Sequence, residues 1–114
     1  MKKDLNKVET LMELAGMVNR MGWRMEVTSS EFIIENKDFM LCSMIFLSDI
    51  ETLNEHAPFD VYLDEFFYEM DSKKQAMNLR KRDYTWSMIM EVLKEEYEEI
   101  ILAKERIYKW YLGE

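Results

Sequence analysis

The residues that build most small active sites are nearly missing from this chain of 114 residues. It has one Cys, one His, three Gly and one Pro. Cys42 alone cannot close an internal disulfide, which sets the expectation of a reducing, cytoplasmic setting. One Cys and one His cannot supply a closed four-ligand zinc shell. Three glycines leave no room for a Gly-rich phosphate loop, a nucleophile elbow or a Walker motif. The Glu-x-x-His pairs of di-metal carboxylate bundles do not occur. Low Gly and Pro also mean few joints and no linker, so residues 1–114 read as a single domain. No apolar run approaches the roughly 18 residues of a membrane span. The opening "MKKDLNKVETL" has no apolar region of the secretory kind. These shortages point away from an enzyme, and from metal, cofactor or membrane as partners.

Cations are missing from one long stretch. Asp38 to Ser72 holds nine carboxylates and no Lys or Arg, in a chain of net charge −8. The next ten residues, "KKQAMNLRKR" (73–82), hold five cations and no carboxylate. Residues 1–37 balance six cations against six anions, and residues 83–114 set four against eight.

Apolar residues make up 48% of the chain, enough for a packed core. Eleven are Met, an adaptable filler that also recurs on promiscuous binding surfaces. Leu5, Val8, Leu11, Met12, Ala15, Val18 and Met21 recur at three and four, predicting a helix over 4–21 that Gly22 caps. The period then changes. "WRMEV", "EFIIE" and "FMLCSMIFL" are separated by turn residues and read as an antiparallel meander over about 23–28, 31–36 and 39–47. The third run is apolar throughout, which predicts a central or doubly covered strand, with a buried helix as its alternative. Ser48 and Glu51 fit a capping box for a short turn over Asp49–Glu55 that stops before Pro58. Asp60 suits the N-cap of a helix over about 61–82. Asp83 or Thr85 would cap a long helix over about 84–112, near 40 Å in length. Its stripe is Trp86, Met90, Leu93, Tyr97, Ile100, Lys104, Ile107 and Tyr111. The expected fold is α+β: an N-terminal helix, a three-stranded meander, then two or three helices ending in a long amphipathic one.

Each candidate site has a plain reading beside it. His56 lacks neighbouring ligands and reads as an exposed loop residue; Cys42, in an apolar run, reads as a buried inert thiol. Glu95, Glu96, Glu98 and Glu99 read as a solvated cluster. Asp49, Glu51, Glu55, Asp60, Asp64, Glu65, Glu69 and Asp71 form an acidic set that could meet a basic protein surface as phosphates do. The alternative is a solvated face. Lys73, Lys74, Arg80, Lys81 and Arg82 could dock a protein or nucleic acid, or could complement the dipole of a helix whose acidic half precedes them. Trp86, Met90, Leu93, Tyr97, Ile100, Ile107 and Tyr111 offer a face for homodimer or oligomer assembly, or for packing within the chain.

In size, acidity and lack of motif the chain resembles small phage and mobile-element proteins such as anti-CRISPR proteins and other inhibitors of host nucleases. The resemblance is one of composition and carries no residue across. It implies an inhibitor that binds a basic nucleic-acid-processing enzyme or defence complex in the host cytoplasm. The alternatives are a homo-oligomeric structural or regulatory subunit built on the last helix, and nucleic-acid binding by the basic run.

Overall fold

The apolar stripe near the N-terminus folds as a helix, but later than its first apolar residue. In the computed structural model, which describes residues 1–27, 32–37, 42–73 and 85–114, α1 spans Val8–Arg20. Asp4 causes the delay. Its side-chain oxygen accepts the Asn6 N–H at 3.0 Å and its carbonyl accepts the Lys7 N–H at 3.2 Å, so a turn occupies the positions before the helix. The helix ends as the glycine signals. The Gly22 N–H donates to the Asn19 carbonyl and the Trp23 N–H to the Val18 carbonyl, both at 3.0 Å, with Gly22 at φ +82°. This is a Schellman motif, whose left-handed residue favours glycine.

The change of period after Gly22 produces a sheet. Strands β1 (Arg24–Val27), β2 (Phe32–Lys37) and β3 (Cys42–Phe46) pair antiparallel in the order β1-β2-β3. The register puts Met25, Ile34 and Ile45 in one row on the core face. Ile34 and Ile45 are fully buried with Leu14 and Val18 of α1, each side chain contributing about 1.5–3 kcal/mol of burial. The row Glu26, Ile33 and Phe46 lies on the other face, where Phe46 is 48% exposed. The expectation that β3 is central or covered on both sides is therefore corrected. The order puts β2 at the centre, so β3 is an edge strand, with Ile45 buried on one face and Phe46 exposed on the other.

The segment after β3 is a 3₁₀ helix, Leu47–Thr52. Leu47, Ile50 and Leu53 are all buried, spaced by three, the 3₁₀ repeat that stacks side chains on one line. Ser48 lies inside this helix and not at its N-cap, a correction to the expected Ser48–Glu51 capping box. The helix starts from Phe46 without a side-chain cap, and Asp49 departs from helical angles inside it.

Helix α2 spans Phe59–Lys73. The Pro58 carbonyl accepts the N–H groups of Val61 and Tyr62, so Pro58 holds the cap position and Asp60 lies inside the first turn, a correction to its assignment as N-cap. The rest of the helix expected up to residue 82 lies outside the described residues. Helix α3 spans Trp86–Tyr111, about 39 Å at 1.5 Å per residue. Thr85 is its cap: its hydroxyl accepts the Met88 N–H at 3.2 Å. A second Schellman motif ends it, Gly113 N–H to the Trp110 carbonyl and Glu114 N–H to the Lys109 carbonyl at 3.0 Å, with Gly113 at φ +81°.

The described residues make an α+β fold and divide into two compact units. One comprises Met1–Glu55 with Ile100–Glu114; the other comprises His56–Glu99. In the first, the core is the α1 pair, the sheet row, the 3₁₀ line, Trp23, and Ile100, Ala103, Ile107 and Tyr111 of α3. In the second, aromatic rings hold α2 to the start of α3 as an antiparallel pair. Tyr97 packs on Phe59 and Tyr62 with ring centroids 5.3 Å away in each case, and its hydroxyl donates to the Ala57 carbonyl. Phe67 stacks on Trp86 at 5.1 Å.

Candidate functional site

The pattern of α2 separates two faces. Phe59, Tyr62, Leu63, Phe66 and Phe67 are half-buried, whereas Asp60, Val61, Asp64, Glu65 and Tyr68 are exposed. Residues three and four apart on a helix are neighbours, so 60, 61, 64, 65 and 68 form one strip. Tyr68 is 78% exposed and Val61 41%. Asp60 and Asp64 stand one turn apart, a like-charge pair that opposes helix formation. Neither they nor Glu65 makes an ion pair with a described residue. This strip carries three of the eight expected acidic residues. Asp49, Glu51 and Glu55 belong to the other unit, where Asp49 and Glu55 are exposed and Glu51 is engaged as described below. Glu69 and Asp71 lie on α2, with side chains outside the described set.

The basic run falls largely outside the described residues. Lys73 ends α2, and Lys74, Arg80, Lys81 and Arg82 are not described. His56 is exposed as expected; the Cys42 side chain lies outside the described set. Among the described residues, no group of three or more His, Cys, Asp or Glu is placed to hold a metal ion. No helix of the described residues is long and apolar enough to cross a membrane.

The expected assembly face of α3 is largely used inside the chain. Leu93, Ile100, Ile107 and Tyr111 are buried, Met90 and Tyr97 are half-buried, and Trp86 is exposed beside Phe67. The buried line keeps Leu93, Ile100, Ile107 and Tyr111 of the expected stripe and adds Glu96 and Ala103 beside the half-buried Tyr97 and Lys104. Glu96 is thus not part of a solvated cluster, unlike the exposed Glu95, Glu98 and Glu99.

A second constellation joins residues far apart in sequence. The first residues of the chain lie along the last turn of α3, where the Lys3 N–H donates to the Tyr111 carbonyl at 2.7 Å. The Lys2 ammonium stands 3.1 Å from both Glu51 carboxylate oxygens and 5.9 Å from the centre of the Tyr111 ring. The Tyr111 hydroxyl donates to the same carboxylate at 2.8 Å. Lys3 repeats the arrangement. Its ammonium is 3.3 Å from Glu13 and 5.7 Å from the centre of the Trp110 ring, and the Trp110 indole N–H donates to Glu13 at 2.8 Å. Each lysine therefore meets a carboxylate fixed by an aromatic donor, with the ring itself beneath the cation. The Tyr111 hydroxyl, then Lys2, hold the Glu51 carboxyl below the usual 4.5. The Trp110 indole, then Lys3, hold Glu13 below the same value. The Glu51 carboxylate raises Lys2 above 10.5 and Tyr111 above 10.0. No spacing in the sequence signals this constellation, because its partners are up to 97 positions apart.

No protein-family model, curated protein or solved structure matches the chain.

Proposed function

We propose that the protein is a non-catalytic, acidic inhibitor. It binds a basic nucleic-acid-processing enzyme or defence complex and occupies the surface that would take nucleic acid, as phage-encoded anti-CRISPR proteins do. The observation that carries this reading is the exposed strip of α2. From Asp60 to Glu65 the helix axis advances about 7.5 Å and bears three carboxylates. The charges are unevenly placed, at rises of about 6.0 and 1.5 Å, but their mean density is of the order of the one charge per about 3.4 Å along one nucleic-acid strand. Exposed Val61 and Tyr68 in the same strip supply apolar and aromatic contact of the kind that anchors protein interfaces.

The test is affinity capture from the lysate of a candidate host bacterium, with wild-type protein and an Asp60→Asn/Asp64→Asn/Glu65→Gln variant. The expected result is a stoichiometric complex with a nucleic-acid enzyme that added nucleic acid displaces and that the variant loses. A captured enzyme that the triple variant holds equally well, or that nucleic acid does not displace, would sink the proposal.

A further inference from the structure

The last carbonyls of a helix have no partner within it and carry the negative end of its dipole. In α3 those from 108 to 111 are fully accounted for. The Tyr108 carbonyl accepts from Leu112, Lys109 from Glu114, and Trp110 from Gly113. Tyr111 remains, and its carbonyl accepts from the Lys3 N–H. Around that point stand two carboxylates, Glu51 from the 3₁₀ segment and Glu13 from α1, and two rings from α3 itself. Successive side chains of an extended backbone point to opposite sides. Lys2 turns to Glu51 and Lys3 to Glu13 accordingly.

We propose that this constellation is a recognition site for an extended Lys-Lys segment of another polypeptide, and that the chain's own Lys2-Lys3 arm fills it in cis. The rings that orient the carboxylates are anchored in the chain, while the carboxylates themselves lie at the surface, Glu51 57% and Glu13 54% exposed. Tyr111 is buried, and Trp110 is half-buried. Their donors aim Glu51 and Glu13 even without the lysines. The arm is held by the Lys3 N–H bond to the Tyr111 carbonyl and by two ion pairs at the surface, with the Lys2 side chain 56% exposed and the Lys3 side chain 32%. Exposed ion pairs are weak and screened by salt, so the arm can leave while the pocket keeps its shape. A partner with a lysine pair competes with the arm, and its apparent affinity is reduced by the fraction of chains with the arm closed. This site shares no residue with the strip on α2, so either reading can fail without the other.

The probe is the peptide acetyl-Met-Lys-Lys-Asp-amide, titrated to about 10 mM against isotope-labelled protein, a range suited to millimolar affinity. The Trp110 indole N–H signal, assigned by its loss in Trp110→Phe, is followed by NMR. In the Lys2→Ala/Lys3→Ala chain the peptide should shift that signal saturably. The wild-type chain should need about tenfold more peptide, as expected for an arm closed in about nine chains of ten. Adding Glu13→Gln and Glu51→Gln to the double-alanine chain should remove the response, with the amide spectrum reporting an intact fold. No shift in the double-alanine chain would overturn the site. Equal midpoints for it and the wild type would overturn the cis competition, and an undiminished response after the Gln changes would overturn the role of the carboxylates.

Discussion

Two glycines with the same backbone angle do different work. Gly22 and Gly113 both sit in the left-handed region at the ends of helices. A Cβ at Gly22 would meet nothing within 4 Å, so Gly22→Ala incurs only the left-handed conformation, about 1–2 kcal/mol. A Cβ at Gly113 would come 2.6 Å from the Met1 carbonyl oxygen, a backbone atom that cannot rotate away. Gly113→Ala must therefore also displace the first residues of the chain. Urea unfolding should show the larger loss at Gly113. The NMR signal of the Trp110 indole should move in Gly113→Ala and stay in place in Gly22→Ala. Only part of this distinction is legible in sequence. A glycine after an apolar helical stripe announces a left-handed cap, and Gly22 followed that rule. Nothing near Gly113 announces that Met1 lies against it, because that contact is made by the fold.

At the scale of elements, the periodicities were legible where one face is buried and misleading where position in the fold decided. The helix ending at Gly22 and the three strands follow from apolar spacing alone. The apolar run of β3 reads as doubly covered, yet the meander puts it at an edge with Phe46 outward. Leu47, Ile50 and Leu53 repeat every three residues, a 3₁₀ signature that the Ser48–Glu51 pair obscured. On α3 a stripe at three and four can be drawn in more than one way. Packing chose the line through Glu96 and Ala103, which intrinsic preference could not do. The sequence offers Asp83 or Thr85 as the cap of α3, and the hydrogen bond from the Met88 N–H assigns it to Thr85. Thr85→Ala should destabilise the protein by about 1 kcal/mol, measured by urea unfolding. Thr85→Ser and Thr85→Asp should restore most of that loss, since each keeps an oxygen for the Met88 N–H. An alanine variant as stable as the wild type would show that the cap contributes nothing.

At the scale of the whole molecule, the acid set spread through the sequence becomes two surfaces with different chemistry. Asp60, Asp64 and Glu65 of α2 make no ion pair with a described residue, whereas Glu13 and Glu51 are bound to lysines and aromatic donors. That difference sets how stability responds to pH. Glu13 and Glu51 titrate below 4.5 in the folded chain, so the unfolded chain takes up protons first as the pH falls. Their contribution is complete above about 4.5 and is lost as the pH drops through the folded values. Lys2 and Tyr111 run the other way. Raised above 10.5 and 10.0, they stabilise fully below those values and lose that contribution as the pH rises through the folded ones. In Glu13→Gln/Glu51→Gln the urea midpoint should lie below the wild type's at neutral pH. The gap should narrow as the pH falls through the folded values of these two groups, where the wild-type carboxyls become neutral as well. A gap that is constant from neutral to acid pH would show that the charge of these two groups does not matter to the fold.

The contact of Met1 with Gly113 brings residues 1 and 114 of this sequence close together in space. A short flexible linker could join residue 114 to residue 1, and the resulting ring could be reopened in the exposed segment between Glu55 and His56. In that circular permutant the order of residues becomes 56–114 followed by 1–55. His56–Glu99 would come first, and Ile100–Glu114 would run directly into Met1–Glu55. Each compact unit would then be one continuous stretch of polypeptide, so the interruption of the larger unit by the smaller is a matter of where the ring happens to be cut.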